Sequence, residues 1–253
     1  MAGSILILNR QCRFLLADTS PIIALTRPLH QSKRFAADLD AVLATSASYH
    51  IAPLIEVVPT PTDLELQDAD ALIFTSENAV NAVGINLSNR RAYCVGTRTA
   101  QAAQTKGCIV LNANGTAQDL IALIRAHQPK GRLIHLRGRH TRGDITATLL
   151  KHEISAKDVI VYEQLQKPFS PNTISMLRQT ILVLFPVFSP RTAQILASEL
   201  ESIPLKAHFV CISDATSTPL QTLVGGSLSV ASAPNGSSMV DAVAQAWRDI
   251  KSG

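Results

Sequence analysis

From Pro21 almost to the C-terminus, short apolar runs alternate with segments whose apolar residues recur at helical spacing. No other feature of the 253-residue sequence constrains the fold as strongly. The strand-like runs are 22–25, 71–74, 93–95, 108–111, 133–136, 159–162, 181–188, 208–212 and 227–231. Between them, Phe35, Leu39 and Val42 fall at i, i+4, i+7. Val80, Val83 and Leu87 fall at i, i+3, i+7, as do Ala193, Leu196 and Leu200. Val240, Val243, Trp247 and Ile250 form a final stripe. Strands covered on both faces read as continuous apolar runs. The pattern therefore predicts an α/β fold, with parallel sheets sandwiched between helices. The longest apolar run, 181–188, is broken by Pro186 and is far below the roughly 18 residues of a membrane span.

Helix starts are marked by hydroxyl residues. Ser76 opens S-E-N-A-V, and Ser189 opens S-P-R-T-A with Pro190 in the first turn. Thr116 with Asp119, and Ser238 with Asp241, have capping-box spacing. Ser and Thr cap helices in every protein. In a parallel sheet, however, these positions fall at the carboxyl edge, where ligands bind. The pattern also echoes itself. A-L-I-F-T-S-E-N-A-V at 71–80 and F-P-V-F-S-P-R-T-A at 185–193 are both strand, hydroxyl, helix. Y-C-V-G-T-R-T-A at 93–100 and V-C-I-S-D-A-T-S at 210–217 follow at similar distance. Two similar α/β domains would explain the echo. Proline-bearing stretches at 53–61 and 167–171 are natural crossing points between them. The expected division is a discontinuous domain, 21–57 with 163–253, and an inserted domain, 58–162. Residues 1–20 stand outside this pattern as an N-terminal extension: their apolar stretch is short and no positive charge precedes it, unlike a secretion signal.

Composition narrows the function. Hydrophobic residues make up 46% and charged residues 17%, which excludes a disordered chain. Four scattered cysteines without a CxxC pair fit a reducing compartment. The net charge is +4. Between Asp119 and Asp144 there is no acidic side chain, while Arg125, Lys130, Arg132, Arg137, Arg139 and Arg142 accompany His127, His135 and His140. Such a stretch either attracts an anionic ligand or is a solvated basic face. It holds no aromatic residue on which bases could stack, which argues against nucleic acid. There is no P-loop, no glycine-rich dinucleotide turn and no GxSxG elbow. The spacing of His135, His140 and the cysteines does not match a metal site. An enzyme of this kind is expected to work without metal or nucleotide, by positioning and electrostatics.

Several short motifs occur in a characteristic order: I-I-A-L-T-R-P at 22–28, L-I-F-T-S-E-N-A-V at 72–80, Y-C-V-G-T-R-T-A-Q-A-A at 93–103, L-I-H-L-R-G at 133–138, V-I-V-Y-E at 159–163 and F-S-P-R-T-A at 188–193. In these motifs the chain resembles the uroporphyrinogen-III synthase family from residue 21 onward. It departs from the family at 212–216, where Ile-Ser-Asp-Ala-Thr stands in place of a glycine-bearing turn and Asp214 adds a negative charge.

The resemblance implies two Rossmann- or flavodoxin-like domains with parallel sheets. A pair of antiparallel linker strands, about 54–58 and 161–166, joins them, and the active site lies in the interdomain cleft. It implies a cofactor-independent lyase that closes hydroxymethylbilane, a linear tetrapyrrole, with loss of water and inversion of the last ring. It also implies a cytoplasmic monomer that can meet the preceding enzyme of its pathway transiently, with no metal, nucleic acid or membrane partner. Tyr162 is the expected proton donor to the departing hydroxyl; a phenol is a modest acid, so its loss slows rather than abolishes turnover. Thr26, Arg27, Thr75, Ser76, Asn78, Gly96, Thr97, Thr99, Gly138, Ser189 and Thr192 are the expected substrate-binding positions. The substrate's eight carboxylates suit helix N-termini, hydroxyls and arginines. A non-catalytic anion-binding protein and a nucleotide-dependent enzyme are the competing readings, the latter weakened by the missing phosphate loop.

Overall fold

The structure is a computed structural model that describes residues 20–44, 47–61, 69–140, 143–223 and 226–252. The expected extension, apart from Ser20, and Arg142 of the basic stretch lie outside the described residues. The chain divides into two compact units. One comprises the chain up to Leu54 and from Lys167 onward, and the other is Ile55–Gln166.

The first unit contains β1 (Ile22–Leu25), α1 (Leu29–Asp40) and β2 (Tyr49–Ile51), then α6 (Pro171–Gln179), β9 (Val183–Val187), α7 (Pro190–Leu200), β10 (Ala207–Cys211), α8 (Asp214–Ser217), β11 (Gly226–Val230) and α9 (Gly236–Ser252). Its sheet runs β11-β10-β9-β1-β2, with every neighbouring pair parallel. From β1 the chain moves out to β2, then returns to the other side through β9, β10 and β11. The winding direction therefore reverses between β1 and β9. β9 is buried along its whole length, as its unbroken apolar run requires. Pro186 within it is tolerated although β1 and β10 flank the strand. Phe35 and Leu39 of α1 pack with Met239, Val243, Ala244 and Trp247 of α9 over Ile23, Leu184 and Val210.

The second unit contains β3 (Ile55–Pro59), β4 (Ala69–Phe74), α2 (Glu77–Ala82), β5 (Arg91–Cys94), α3 (Thr97–Thr105), β6 (Ile109–Asn112), α4 (Ala117–His127), β7 (Arg132–Gly138), α5 (Ile145–Lys151) and β8 (Ala156–Gln166). Its sheet runs β3-β8-β7-β4-β5-β6. The five strands from β4 to β8 are parallel and reverse direction of winding between β4 and β7. Strand alternation sorts the core. Leu72, Phe74, Ile134 and Leu136 face the cluster around Val80, Val83 and Ala103. Ala71, Ile73 and Leu133 face Leu120, Ile124, Ile145 and Leu149 of α4 and α5. The first half of β8 pairs with β7, from Ala156 to Tyr162. Its second half pairs antiparallel with β3, from Tyr162↔Pro59 to Gln166↔Ile55. This antiparallel ribbon falls on the stretches expected as linker strands and belongs to the second unit.

Three local expectations are corrected. Val42 is 46% exposed, because α1 ends at Asp40. The 80–87 stripe is not one helix: Val83 turns extended at ψ 114 and ends α2, while Leu87 stays buried outside it. No Ser238–Asp241 box starts α9: the helix begins at Gly236, and Asn235 Oδ1 accepts from the Ser238 N–H. At 167–171 the chain re-enters the first unit and leads directly into α6, with Ser170 capping it and Pro171 in the first turn.

Candidate functional site

In doubly wound sheets, the crevice for ligand opens at the carboxyl edge where the winding reverses. In the second unit that point lies between β4 and β7. Thr75 and Ser76 follow β4 there, and Gly138 ends β7. Ser76 Oγ accepts from the Asn78 N–H at 3.1 Å, and Asn78 is buried. Beside them β5 leads to Gly96, the N-cap of α3, where a side chain would meet nothing within 4 Å. The backbone N–H groups of this nine-residue helix's first turn carry no side-chain cap. Thr97 Oγ1 donates to Asn114 Oδ1 at 2.9 Å, and Thr99 is buried.

Gly138 has a packing duty. A Cβ there would lie 2.5 Å from Tyr162 Cζ and 2.8 Å from its hydroxyl oxygen. Tyr162 is 5% exposed and packs into the core cluster beneath α2 and α3. Its hydroxyl makes no hydrogen bond among the described residues. The phenol is thus aligned by its ring, with its polar end uncommitted.

The same edge holds a network of which the sequence shows only part of a basic stretch. His135, in the middle of β7, is 4% exposed. Its Nδ1 lies 3.0 Å from Asp158 Oδ1 of β8, and its Nε2 lies 3.3 Å from Thr75 Oγ1. Thr146 of α5 donates to the same Asp158 oxygen, and Arg137 Nε lies 2.8 Å from the other. Burial pushes the His135 imidazolium down despite Asp158, so the ring is neutral near neutral pH. Burial alone would raise the Asp158 carboxyl; the Thr146 hydrogen bond, His135 and Arg137 outweigh it and hold it below the usual range. The signal in the sequence is a lone polar residue inside L-I-H-L-R-G, but its partners come from three other elements.

Part of the basic stretch between Asp119 and Asp144 is committed within the structure. Arg137 is paired with Asp158, and Arg139 Nε donates to Glu163 Oε1 at 2.6 Å. Arg125 and His127 sit in the last turn of α4, where positive charge offsets the helix dipole.

In the first unit, winding reverses between β1 and β9. Thr26 and Arg27 follow β1, and Phe188 and Ser189 follow β9. The Arg27 guanidinium carbon lies 4.0 Å from the centre of the Phe188 ring, joining the two strand ends. Thr26 is 1% exposed, and its hydroxyl has no protein partner among the described residues. Ser189 Oγ accepts from the Thr192 N–H at 3.1 Å and lies 2.9 Å from Thr192 Oγ1. After the next strand, Ser213 stands at the N-cap of α8 without a side-chain capping hydrogen bond, and its Oγ lies 3.1 Å from Thr216 Oγ1. Ser213 has φ −164, an extended backbone any residue adopts, so no glycine is required there. The arrangement at both edges offers backbone and hydroxyl donors. Among the described residues no group of His, Cys, Asp or Glu could hold a metal ion.

Residues 34–241 match the family model described as uroporphyrinogen-III synthase HemD. The chain belongs to this family. Among solved structures, the uroporphyrinogen-III synthetase of Helicobacter pylori is 21% identical with a TM-score of 0.62, covering 90% of this chain and 100% of that one. A mutant uroporphyrinogen III synthase of Thermus thermophilus is 15% identical with a TM-score of 0.46, covering 91% and 99%. The Helicobacter likeness establishes a shared two-sheet α/β fold for this uroporphyrinogen-III synthase family member. A search of curated proteins finds no match.

Proposed function

We propose that the protein is a uroporphyrinogen-III synthase, a cofactor-independent lyase that converts hydroxymethylbilane to uroporphyrinogen III and water with inversion of the last ring. The observation that carries this reading is the family match across 34–241, which spans both units. The geometry supports it. Each unit presents hydroxyls and backbone N–H groups at its own carboxyl edge: Ser76, Asn78, Gly96, Thr97 and Thr99 in one, and Thr26, Arg27, Ser189 and Thr192 in the other. Such donors suit the substrate's eight carboxylates, as the N-termini of α3 and α7 do.

The chemistry needs a proton for the departing hydroxyl, which leaves as water, and a framework that favours closure through a spiro arrangement over direct closure. Tyr162 is the proposed donor: its ring is fixed against Gly138 and its hydroxyl is uncommitted. Holding the two ends of a floppy ligand together lowers the entropic part of the barrier. We place the enzyme in the cytoplasm as a monomer; no helix among the described residues is long and apolar enough to cross a membrane. The test is to supply freshly generated hydroxymethylbilane, oxidise the product and separate the isomers. The III isomer is expected, and formation of the I isomer alone would overturn the reading.

A further inference from the structure

The sequence places Thr75 among the positions for a substrate carboxylate. The hydrogen bonds behind it require the opposite polarity. Asp158 is held as a carboxylate by Arg137 and by the Thr146 hydroxyl. An ionised carboxylate can only accept, so the proton between Asp158 Oδ1 and His135 Nδ1 sits on the nitrogen. A neutral imidazole protonated at Nδ1 has only a lone pair at Nε2. Thr75 Oγ1, 3.3 Å from that lone pair, must turn its single proton inward to donate to it. What the hydroxyl can still offer a ligand is lone pairs. A carboxylate brought there would meet lone pair with lone pair. A ligand N–H would meet an acceptor strengthened by the chain of hydrogen bonds behind it.

Thr75 is partly exposed and stands at the reversal between β4 and β7. His135 stays buried beneath it. Resting on the synthase reading, we infer that His135 and Asp158 are positioning residues that fix the Thr75 hydroxyl as a hydrogen-bond acceptor, so that this crevice receives a pyrrole N–H edge of the tetrapyrrole and its carboxylates go elsewhere. A linear tetrapyrrole carries both kinds of group, and one outward-facing acceptor among many donors sets which way the ligand lies. The device belongs to this chain's own combination of His135, Asp158 and Thr146, drawn from β7, β8 and α5.

The tautomer is tested first, on the full-length protein labelled with nitrogen-15, by two-bond proton–nitrogen correlation with the His135 signals assigned through H135Q. At pH 7.5 Nδ1 is expected to carry the proton and Nε2 to be bare. An Nε2-protonated ring or an imidazolium overturns the inference, whether or not the protein turns over. Kinetics then test the coupling. T75V is expected to lower kcat/KM for the III isomer about tenfold, with T75S restoring it. D158N places an amide N–H before Nδ1, which reverses the tautomer and the polarity of Thr75, and is expected to cost about the same. The T75V/D158N double variant is expected to lose no more than either single one, where independent roles would give about a hundredfold loss. H135F with T75V gives a second cycle should D158N not fold, with melting temperatures reporting folding. Additive losses, or T75V at the wild-type rate, overturn the inference and leave the synthase reading standing. A wild-type protein that yields only the I isomer removes the synthase reading and the pyrrole assignment with it, while the tautomer measurement still decides the polarity of Thr75.

Discussion

Gly138 and Tyr162 show how closely packing and chemistry share single positions. Because a Cβ at 138 would lie 2.5 Å from Tyr162 Cζ, Gly138→Ala is expected to destabilise the protein by about 1–3 kcal/mol, read from urea denaturation midpoints. Tyr162→Phe keeps the ring and removes the uncommitted hydroxyl. Its melting temperature should stay near wild type while formation of the III isomer slows; an unchanged rate would remove Tyr162 from the mechanism. Thr26 is the mirror case. Its buried hydroxyl bonds to no protein group among the described residues, so Thr26→Val should leave stability unchanged or slightly raised and weaken substrate binding. Titration follows from burial too. His50, His135 and His208 are pushed below 6.5 by burial, so between their folded values and about 6.5 the unfolded chain binds more protons. Stability therefore falls as pH drops through that window. Asp158, depressed in the folded state, adds a second loss once pH falls through the carboxylate range. Thermal melts from pH 7.5 to 3 should show both stages, the first shallower in H135Q. His135 itself is visible in sequence only as a polar residue in an apolar run, since its meaning lies in Asp158, 23 residues away.

Among elements, those with unbroken apolar runs or strong caps are legible in the sequence and those without are not. β1 falls at 22–25 as its pattern predicts, and Thr116 and Asp119 form the expected reciprocal box at the start of α4. Periodicity gives no sign of β2, because Tyr49, His50 and Ile51 are only half-buried and carry no run of apolar residues. Helix α2 is shorter than its stripe because burial of Leu87 does not require helical backbone. Caps can be tested as elements. Ser189→Ala removes the acceptor for the Thr192 N–H and should cost about 1 kcal/mol in stability. A larger effect on substrate affinity than on stability would mark the α7 N-terminus as a carboxylate position.

At the scale of the molecule, the crossing between units makes an excision experiment possible. Leu54 O accepts from Lys167 N at 2.9 Å, so the two ends of the inserted unit leave side by side. Residues 55–166 expressed alone should fold and melt cooperatively, as should a chain in which a two-residue turn joins 54 to 167. Non-cooperative melting of either piece by circular dichroism would show that the units depend on one another. The α/β class, the doubled strand–hydroxyl–helix pattern, the start of α7 at Ser189 and the ordered motifs that place the chain in its family can all be read from the amino-acid order. These are local: each follows from the period of apolar residues, from one cap or from a short run of residues, and none depends on distant partners. Packing in three dimensions settles where each sheet reverses its winding, that Gly138 makes room for Tyr162, that acids of β8 neutralise part of the basic stretch, and that His135 lies between Asp158 and Thr75. Those outcomes depend on strand order and register, which join residues far apart in sequence through hydrogen bonds and excluded volume that no local pattern encodes.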